Sequence, residues 1–315
     1  MRYVAGIDGG QSSTTAVVVD QNGMVCGRGA AGPADHVDEP PGSRKFAEAS
    51  TTALARALDA ARMPRDTRLE AVHAGLSGYD DRFDGALPAF AAGAVRVQHD
   101  APVALAGAVH ARPAVVVIAG TGSVAYGEDG AGTSVRAGGW GYLFGDQGSA
   151  FAVARDALAH AMREDDRDRR SPLGDAALAF FDRRDLRELA TQALLGRLTR
   201  RELASFARVV HNAAKLGDPD AAAIVQEAAS SLAGLAAIAV ERLHLGGRPV
   251  TVALSGGAFG SETLLARVRE RLGTLVPNAL VVPPRYDAAI GAALLAFGDA
   301  DLPVPDRIVE PDAAG

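Results

Sequence analysis

Asp8-Gly9-Gly10-Gln11-Ser12-Ser13-Thr14 places a carboxylate, two glycines and three hydroxyls within seven residues. Paired glycines let backbone N–H groups approach an anion closely, and hydroxyls add further donors, so this stretch is suited to gripping phosphate. Asp8, at the end of a strand-like segment, is positioned to hold magnesium through water, because that ion favours carboxylate and water ligands. Gly120-Thr121-Gly122-Ser123 repeats the pattern after the apolar run 115–119. Either stretch alone reads more readily as a plain hairpin turn than as a phosphate site. Two of them on separate lobes can clamp one polyphosphate from both sides, as phosphoryl transfer requires. Neither continues into Gly-Lys-Ser/Thr, and neither completes a dinucleotide fingerprint, which disfavours P-loop and Rossmann sites.

Three further stretches offer groups for a hydroxylated acceptor and a base. Asp100, in Gln98-His99-Asp100-Ala101, could accept a hydroxyl proton, or it could cap the helix that follows. His99 reads as its neighbour rather than as a catalyst. Gly138-Gly139-Trp140-Gly141, followed by Gly145-Asp146-Gln147-Gly148-Ser149, carries the only tryptophan. The ring offers an apolar platform for a sugar and Asp146 an acceptor for its hydroxyls; the alternatives are a core Trp and an N-cap at Asp146 or Ser149. Ser255-Gly256-Gly257 leaves bare backbone on which a flat base could rest, or forms a tight strand-to-helix turn.

The elements that must position these groups are legible in the periodicity. Strands are expected over 4–8, 14–19, 25–29, 69–76, 94–98, 115–119, 124–126 and 249–254, and helices over 45–62, 103–109, 150–163, 186–195, 200–216, 219–245, 262–272 and 288–297. The opening strand-turn-strand unit recurs near residue 115, which points to two lobes of related design. With 315 residues, 48% hydrophobic and only 5% aromatic, the chain fits two lobes with cores of Ala, Val and Leu. A net charge of −6 without a basic cluster disfavours nucleic acid. One cysteine, Cys26, excludes an internal disulfide and fits a reducing cytoplasm; no signal peptide or membrane span is expected.

In their order along the chain, Asp8-Gly9-Gly10, Asp100-Ala101, Gly120-Thr121-Gly122-Ser123, Gly139-Trp140-Gly141 with Gly145-Asp146, and Ser255-Gly256-Gly257 resemble the N-acetylglucosamine kinase branch of the BadF/BadG/BcrA/BcrD ATPase family. The block 118–149 is the most specific part. The resemblance implies an α/β, two-lobed actin-like ATPase (ribonuclease-H-like) fold with a central cleft. Residues 1–111 plus 286–300 would form the N-terminal lobe, 112–285 the C-terminal lobe and 301–315 a tail. It implies ATP and Mg2+ as cofactors, with phosphates and metal faced by Asp8, Gly9, Gly10, Ser12, Thr14, Gly120 and Thr121, and adenosine bordered by Gly256 and Gly257. Asp100 would be the base for the 6-hydroxyl of an amino sugar, with Asp35, Gly122, Ser123, Trp140, Gly141 and Asp146 around that sugar. The expected partners are thus a small sugar and ATP, with no nucleic acid or membrane, and a homodimer as the assembly.

The chain departs from that pattern at three places. Gln147 replaces the acid of the usual Gly-Asp-Glu-Gly-Ser, and Asp35-His36 and Val124 stand where N-acetyl-sugar kinases tend to carry Asn. An acidic Asp35 suits a free amine, which keeps glucosamine or another hexosamine as an alternative substrate. Family members that energise electron transfer use an iron–sulfur cluster with cysteine ligands, which Cys26 alone does not supply. A non-catalytic regulator of the same fold is a further alternative, opposed by the retained carboxylates at positions 8 and 100.

Overall fold

The computed structural model describes residues 1–34, 39–40, 42–80 and 83–310. The chain divides into two compact units, Met1–Arg112 with Pro283–Gly315, and Pro113–Val282.

The first unit is built on a five-stranded sheet of order β3-β2-β1-β4-β5. β1 (Tyr3–Gly9), β2 (Thr14–Asp20) and β3 (Val25–Ala31) form an antiparallel meander, and β4 (Leu69–Leu76) and β5 (Ala92–His99) continue parallel to β1. The central strands read as unbroken apolar runs because both of their faces are covered. Ala5, Ile7, Ala16 and Val18 pack with Phe46, Leu54 and Leu58 of α1 (Lys45–Ala60), while Val4, Val17 and Val19 pack with Ile290, Ala293 and Phe297 of α10 (Ala288–Asp299). α2 (Asp100–Ala108) packs on α10. Close approach needs bare backbone: a Cβ on Gly6 would lie 2.1 Å from the Ala289 carbonyl oxygen and 2.2 Å from the Ala293 nitrogen. The chain after α10, expected as a tail, is held in this unit through residue 310. Leu302 and Ile308 are buried, and Val309 exchanges backbone hydrogen bonds with Gly23 and Val25.

The second unit repeats the strand order as β8-β7-β6-β9-β10. β6 (Ala114–Ala119), β7 (Ser123–Glu128) and β8 (Ser134–Gly138) form the meander, and β9 (Val250–Ser255) and β10 (Ala279–Val282) run parallel to β6. Helices α3 (Ala150–Asp165), α4 (Pro172–Phe181), α5 (Leu186–Leu194), α6 (Arg200–Ser205), α7 (Ala207–Lys215), α8 (Pro219–Arg242) and α9 (Glu262–Leu275) complete it. By length and composition α8 could cross a bilayer, contrary to the expectation that no segment is long and apolar enough. Its face of Ala221, Val225, Ala229, Leu232 and Ala236 is instead buried in the core of this unit.

Four elements depart from the expected pattern. β8 and β10, of five and four residues, are too short to show clear alternation. α4 begins at Pro172, which reads as a breaker but sits at the first helical position behind the Ser171 cap. The helix expected over 200–216 divides at the buried Phe206, whose N–H bonds the Leu203 carbonyl in a tightened last turn.

The contact at Gly6 gives a direct test of the α10–β1 packing. Gly6→Ala is expected to lower the unfolding free energy by about 2 kcal/mol or more, since backbone would have to move to admit one methyl group. Urea unfolding followed by circular dichroism measures this, and a change within about 0.5 kcal/mol would contradict the packing.

Candidate active site

In the first unit, parallel pairing aligns three strand ends. Asp8 of β1 stands opposite Gly75 of β4, and Gly75 opposite Gln98 of β5. Asp100 follows two residues beyond Gln98 as the first residue of α2, so the expected start at residue 103 shifts to 100 and Asp100 is not the cap. His99 is the cap: its Nδ1 accepts the Ala101 N–H at 3.1 Å. Gly75 admits the start of α2, because a Cβ there would lie 2.4 Å from Val103 and 3.1 Å from the Asp100 Cα. Arg285 and Tyr286 donate backbone hydrogen bonds to Ala108 and Gly107, anchoring the segment before α10 to the end of α2, and Asp287 caps α10 through Ile290 N–H at 2.9 Å.

The electrostatic result is a cluster of acids. Burial, then the charges of Asp100 and Asp287, push the Asp8 carboxyl up from 3.8 to about 7. Arg28 pairs with Asp287 at 2.7 Å and with Glu310 at 2.9 Å. The His99 ring nitrogen lies 2.9 Å from Asp100 Oδ1, but a nitrogen that accepts the Ala101 N–H has no proton for the carboxylate. Asp100 Oδ1 is therefore a buried acceptor without a donor among the described residues, and Gln11 Oε1 in the neighbouring turn is another. A hard divalent cation fits this oxygen-rich set. Among the described residues no three His, Cys, Asp or Glu side chains could hold a metal by themselves, so magnesium here would take water and phosphate oxygens as its other ligands.

The turn after Asp8 is internally fixed. Gly10 N–H bonds Ser13 O at 2.9 Å, and Gly10 O accepts Ala34 N–H at 3.0 Å. Thr14, expected to face phosphate, is fully buried and donates to Gly32 O at 2.9 Å. Ser12 lies at the tip of the turn, part-exposed. Asp35 lies outside the described residues.

In the second unit, the Gly120-Thr121-Gly122 turn joins β6 to β7, with Gly120 N–H bonded to Gly122 O at 2.9 Å and Gly120 O accepting Ala150 N–H at 2.9 Å. Asp146 is buried, has a left-handed backbone (φ 59°), and accepts Ser123 N–H at 3.2 Å. Burial pushes its carboxyl up, and the Ser123 N–H and the charge of Arg200 act against that. Gly122 must be glycine here, since a Cβ would lie 2.8 Å from Asp146 Oδ2. The Ser123 hydroxyl donates to Gln147 O at 2.8 Å, and Ser149, not Asp146, caps α3. Trp140 is 75% exposed, which removes the core-Trp alternative and leaves its ring, beside Gly141, open to a ligand. Gly256, at φ 103°, sets the end of β9 against β6, where a Cβ would lie 2.4 Å from Ala119 O, and Gly257 opens a 3-10 turn, Gly257–Gly260.

The first-unit candidates Asp8, Gly9, Gly10, Ser12 and Asp100 thus gather at adjoining strand ends. Gly120 to Ser123 gather with Asp146 and, across β6, with Gly256. Sequence reasoning missed Asp287, Arg28 and Gln11. An Asp directly before the apolar run 288–297 is the one signal that pointed to Asp287, and alone it reads as a cap.

Two sheets of this shared strand order, each with a glycine turn between its first two strands, define an actin-like, ribonuclease-H-like ATPase fold. The chain belongs to the BadF/BadG/BcrA/BcrD ATPase family, whose model matches residues 5–296. It is 32% identical over 211 residues to an N-acetylmuramic acid/N-acetylglucosamine kinase of Clostridium acetobutylicum, covering 66% of this chain and 69% of that protein. It is 25% identical over 310 residues to an N-acetyl-D-glucosamine kinase of Dictyostelium discoideum, covering 93% and 97%. A solved structure from Chromobacterium violaceum, described as a candidate N-acetylglucosamine kinase, superposes with a TM-score of 0.77 at 28% identity, covering 94% of this chain and 99% of that one.

The raised pKa of Asp8 has a defined sign. Between 3.8 and about 7 the folded protein binds a proton that the unfolded chain does not, so this group's contribution to stability falls as pH rises through that window and stays low above it. Asp8→Asn removes the penalty. Without nucleotide, the variant is expected to melt several degrees above the parent protein at pH 8, with the gap narrowing towards pH 5; a gap that widens on acidification would overturn the assignment.

Proposed function

We propose that this protein is an ATP-dependent kinase that transfers a phosphoryl group to the 6-hydroxyl of an amino sugar, with N-acetylglucosamine as acceptor. The observation that carries the reading is the buried Oδ1 of Asp100, without a donor among the described residues, beside the strand end that holds Asp8. Family membership and the names of the two kinases and the solved structure above support it.

In this reading Asp100 Oδ1 accepts the hydrogen bond of the acceptor hydroxyl, orients it, and takes its proton as the O–P bond forms. The backbone of Gly9, Gly10, Gly120 and Thr121, with Ser12, faces the phosphates, and Gly256 and Gly257 border the adenosine. Thr14 acts through its bond to Gly32, by fixing the turn. Asp8 would hold magnesium through water, and the bound ion neutralises phosphate charge. Gly122, Trp140, Gly141 and Asp35 are assigned to the sugar; Ser123 and Asp146, bonded to each other and to Gln147, fix the shape of its loop. A glucosamine kinase is the second reading, favoured by the acid at position 35. The single cysteine is in keeping with a cytoplasmic enzyme, and a homodimer is the assembly to test by sedimentation.

Asp100→Asn is expected to leave sugar and ATP affinity nearly unchanged and to lower kcat by about 100-fold or more. A coupled ADP-release assay with N-acetylglucosamine and glucosamine measures this and ranks the two sugars. Parent-like turnover by the variant would remove Asp100 from the role of base.

A further inference from the structure

Trp140 is the one large ring assigned to the acceptor sugar, and it is too exposed, at 75%, for packing to fix it. It stands in a run where Gly138, Gly139 and Gly141 all have left-handed backbone, at φ 77°, 70° and 81°. Glycine enters that conformation freely and leaves it as freely, so a platform carried by such a run has to be ordered by its partners before it can present a face to a ligand. Those partners are visible on both sides of the ring. Tyr142 meets Phe151 edge-on at 5.5 Å, and the Arg200 guanidinium lies 5.2 Å from the centre of its ring. Gly145 N–H bonds Gly141 O at 2.7 Å, which closes the far side of the loop, and Gly139 N–H bonds Ser123 O at 3.1 Å, which ties the near side to β7.

The peptide that joins Gly139 to Trp140 has a partner of its own. Its carbonyl accepts a hydrogen bond from Arg136 Nη2 at 3.0 Å. Because a peptide is planar, holding the Gly139 carbonyl holds the plane that contains the nitrogen and Cα of Trp140. Arg136 does this from a settled place. It lies on β8 opposite Tyr126 of β7, and its own carbonyl accepts Arg242 Nη1, from the end of α8, at 2.6 Å. The guanidinium also rests against Gly139, where a Cβ would stand 3.4 Å from Nε and 3.1 Å from Val124 Cγ2. Among the described residues Arg136 forms no ion pair, so no acid competes with the Gly139 carbonyl for it.

We infer that Arg136 is a positioning residue for the acceptor: its guanidinium sets the peptide that carries Trp140 before the sugar arrives, and so lowers the ordering cost of sugar binding. The inference rests on the amino-sugar-kinase reading, with Trp140 as the platform. Arg136 touches neither the sugar nor the transferred group. Its benefit is therefore shared by the bound ground state and the transition state, and falls on KM for the sugar rather than on kcat.

The test uses Arg136→Met, which keeps the aliphatic stem and removes every donor. The side chain is exposed and Arg242 bonds the backbone, so β8 keeps its place. KM for whichever of N-acetylglucosamine and glucosamine the parent enzyme turns over better is expected to rise about fivefold, with kcat and KM for ATP within about twofold of the parent values. Arg136→Lys, which retains a donor, is expected to fall between the two. Trp140 is the only tryptophan, so its emission reads the loop directly. Without sugar, its anisotropy is expected to be lower in Arg136→Met than in the parent, and titration with sugar to half-saturate at a concentration higher by the same factor as KM. Arg136→Gln, with a shorter neutral donor, is read in the same way should the Met variant fail to fold. An unchanged KM for the sugar, a KM for ATP that rises in step with it, or a loss confined to kcat overturns the inference and leaves the kinase reading standing. Turnover of neither sugar by the parent protein overturns both.

Discussion

Backbone-to-backbone contact of α10 with β1 and α2 is the constraint on which the first unit depends. Gly6, Gly107 and Gly291 each lack the Cβ that would lie within 2.3 Å of a backbone atom of the facing element. The contact brings the N-terminal ends of two helices down onto the ends of the parallel strands, and with them Asp100 and Asp287 towards Asp8. Burial of the Asp8 carboxyl, and then the like charges of Asp100 and Asp287 held this way, push it up. The ion pair of Arg28 with Asp287 and the Asp287 cap on α10 offset part of that cost.

The second unit uses the same strand order for a different electrostatic end. At the end of β6 the residue type equivalent to Asp8 is missing, and small residues with hydroxyls take its place. A single carboxylate, Asp146, is spent on the Ser123 N–H, and the Ser123 hydroxyl on the Gln147 carbonyl. These bonds hold the turn between β6 and β7 against the segment leading into α3. One unit thus concentrates negative charge, suited to a cation and to a proton, while the other presents ordered small residues, suited to a polyanion.

Much of this was legible in the sequence because the signals were local. The strands of both meanders, the helix over 45–60 and the two glycine turns each follow from periodicity and turn chemistry within a few residues. Asp100 could be picked out as lying past a strand, but whether it capped a helix or began one depended on His99 and on the absent side chain of Gly75, which are tertiary facts. Trp140 was undecided between core and ligand platform, since an aromatic in a glycine loop fits both; only its exposure separates them. Thr14 and Ser123 looked like donors for a ligand because sequence shows a hydroxyl but not its partner. The role of Asp287 is not legible locally, because its neighbours in space, Asp8 and Arg28, lie more than 250 residues away in the chain.

The fate of those hydroxyls bears on how such turns work. A glycine turn with every donor free would be floppy, and binding a polyanion would then carry the entropy of ordering it. Here Thr14, Ser123 and Asp146 are buried and committed to backbone groups, and Gly10 and Gly120 close their own turns. Part of the apparent binding chemistry is therefore spent in advance on shape. The donors and acceptors that remain, such as Asp100 Oδ1, stand at fixed positions and need no reorganisation when charge moves, which is where a preorganised site gains its advantage over water.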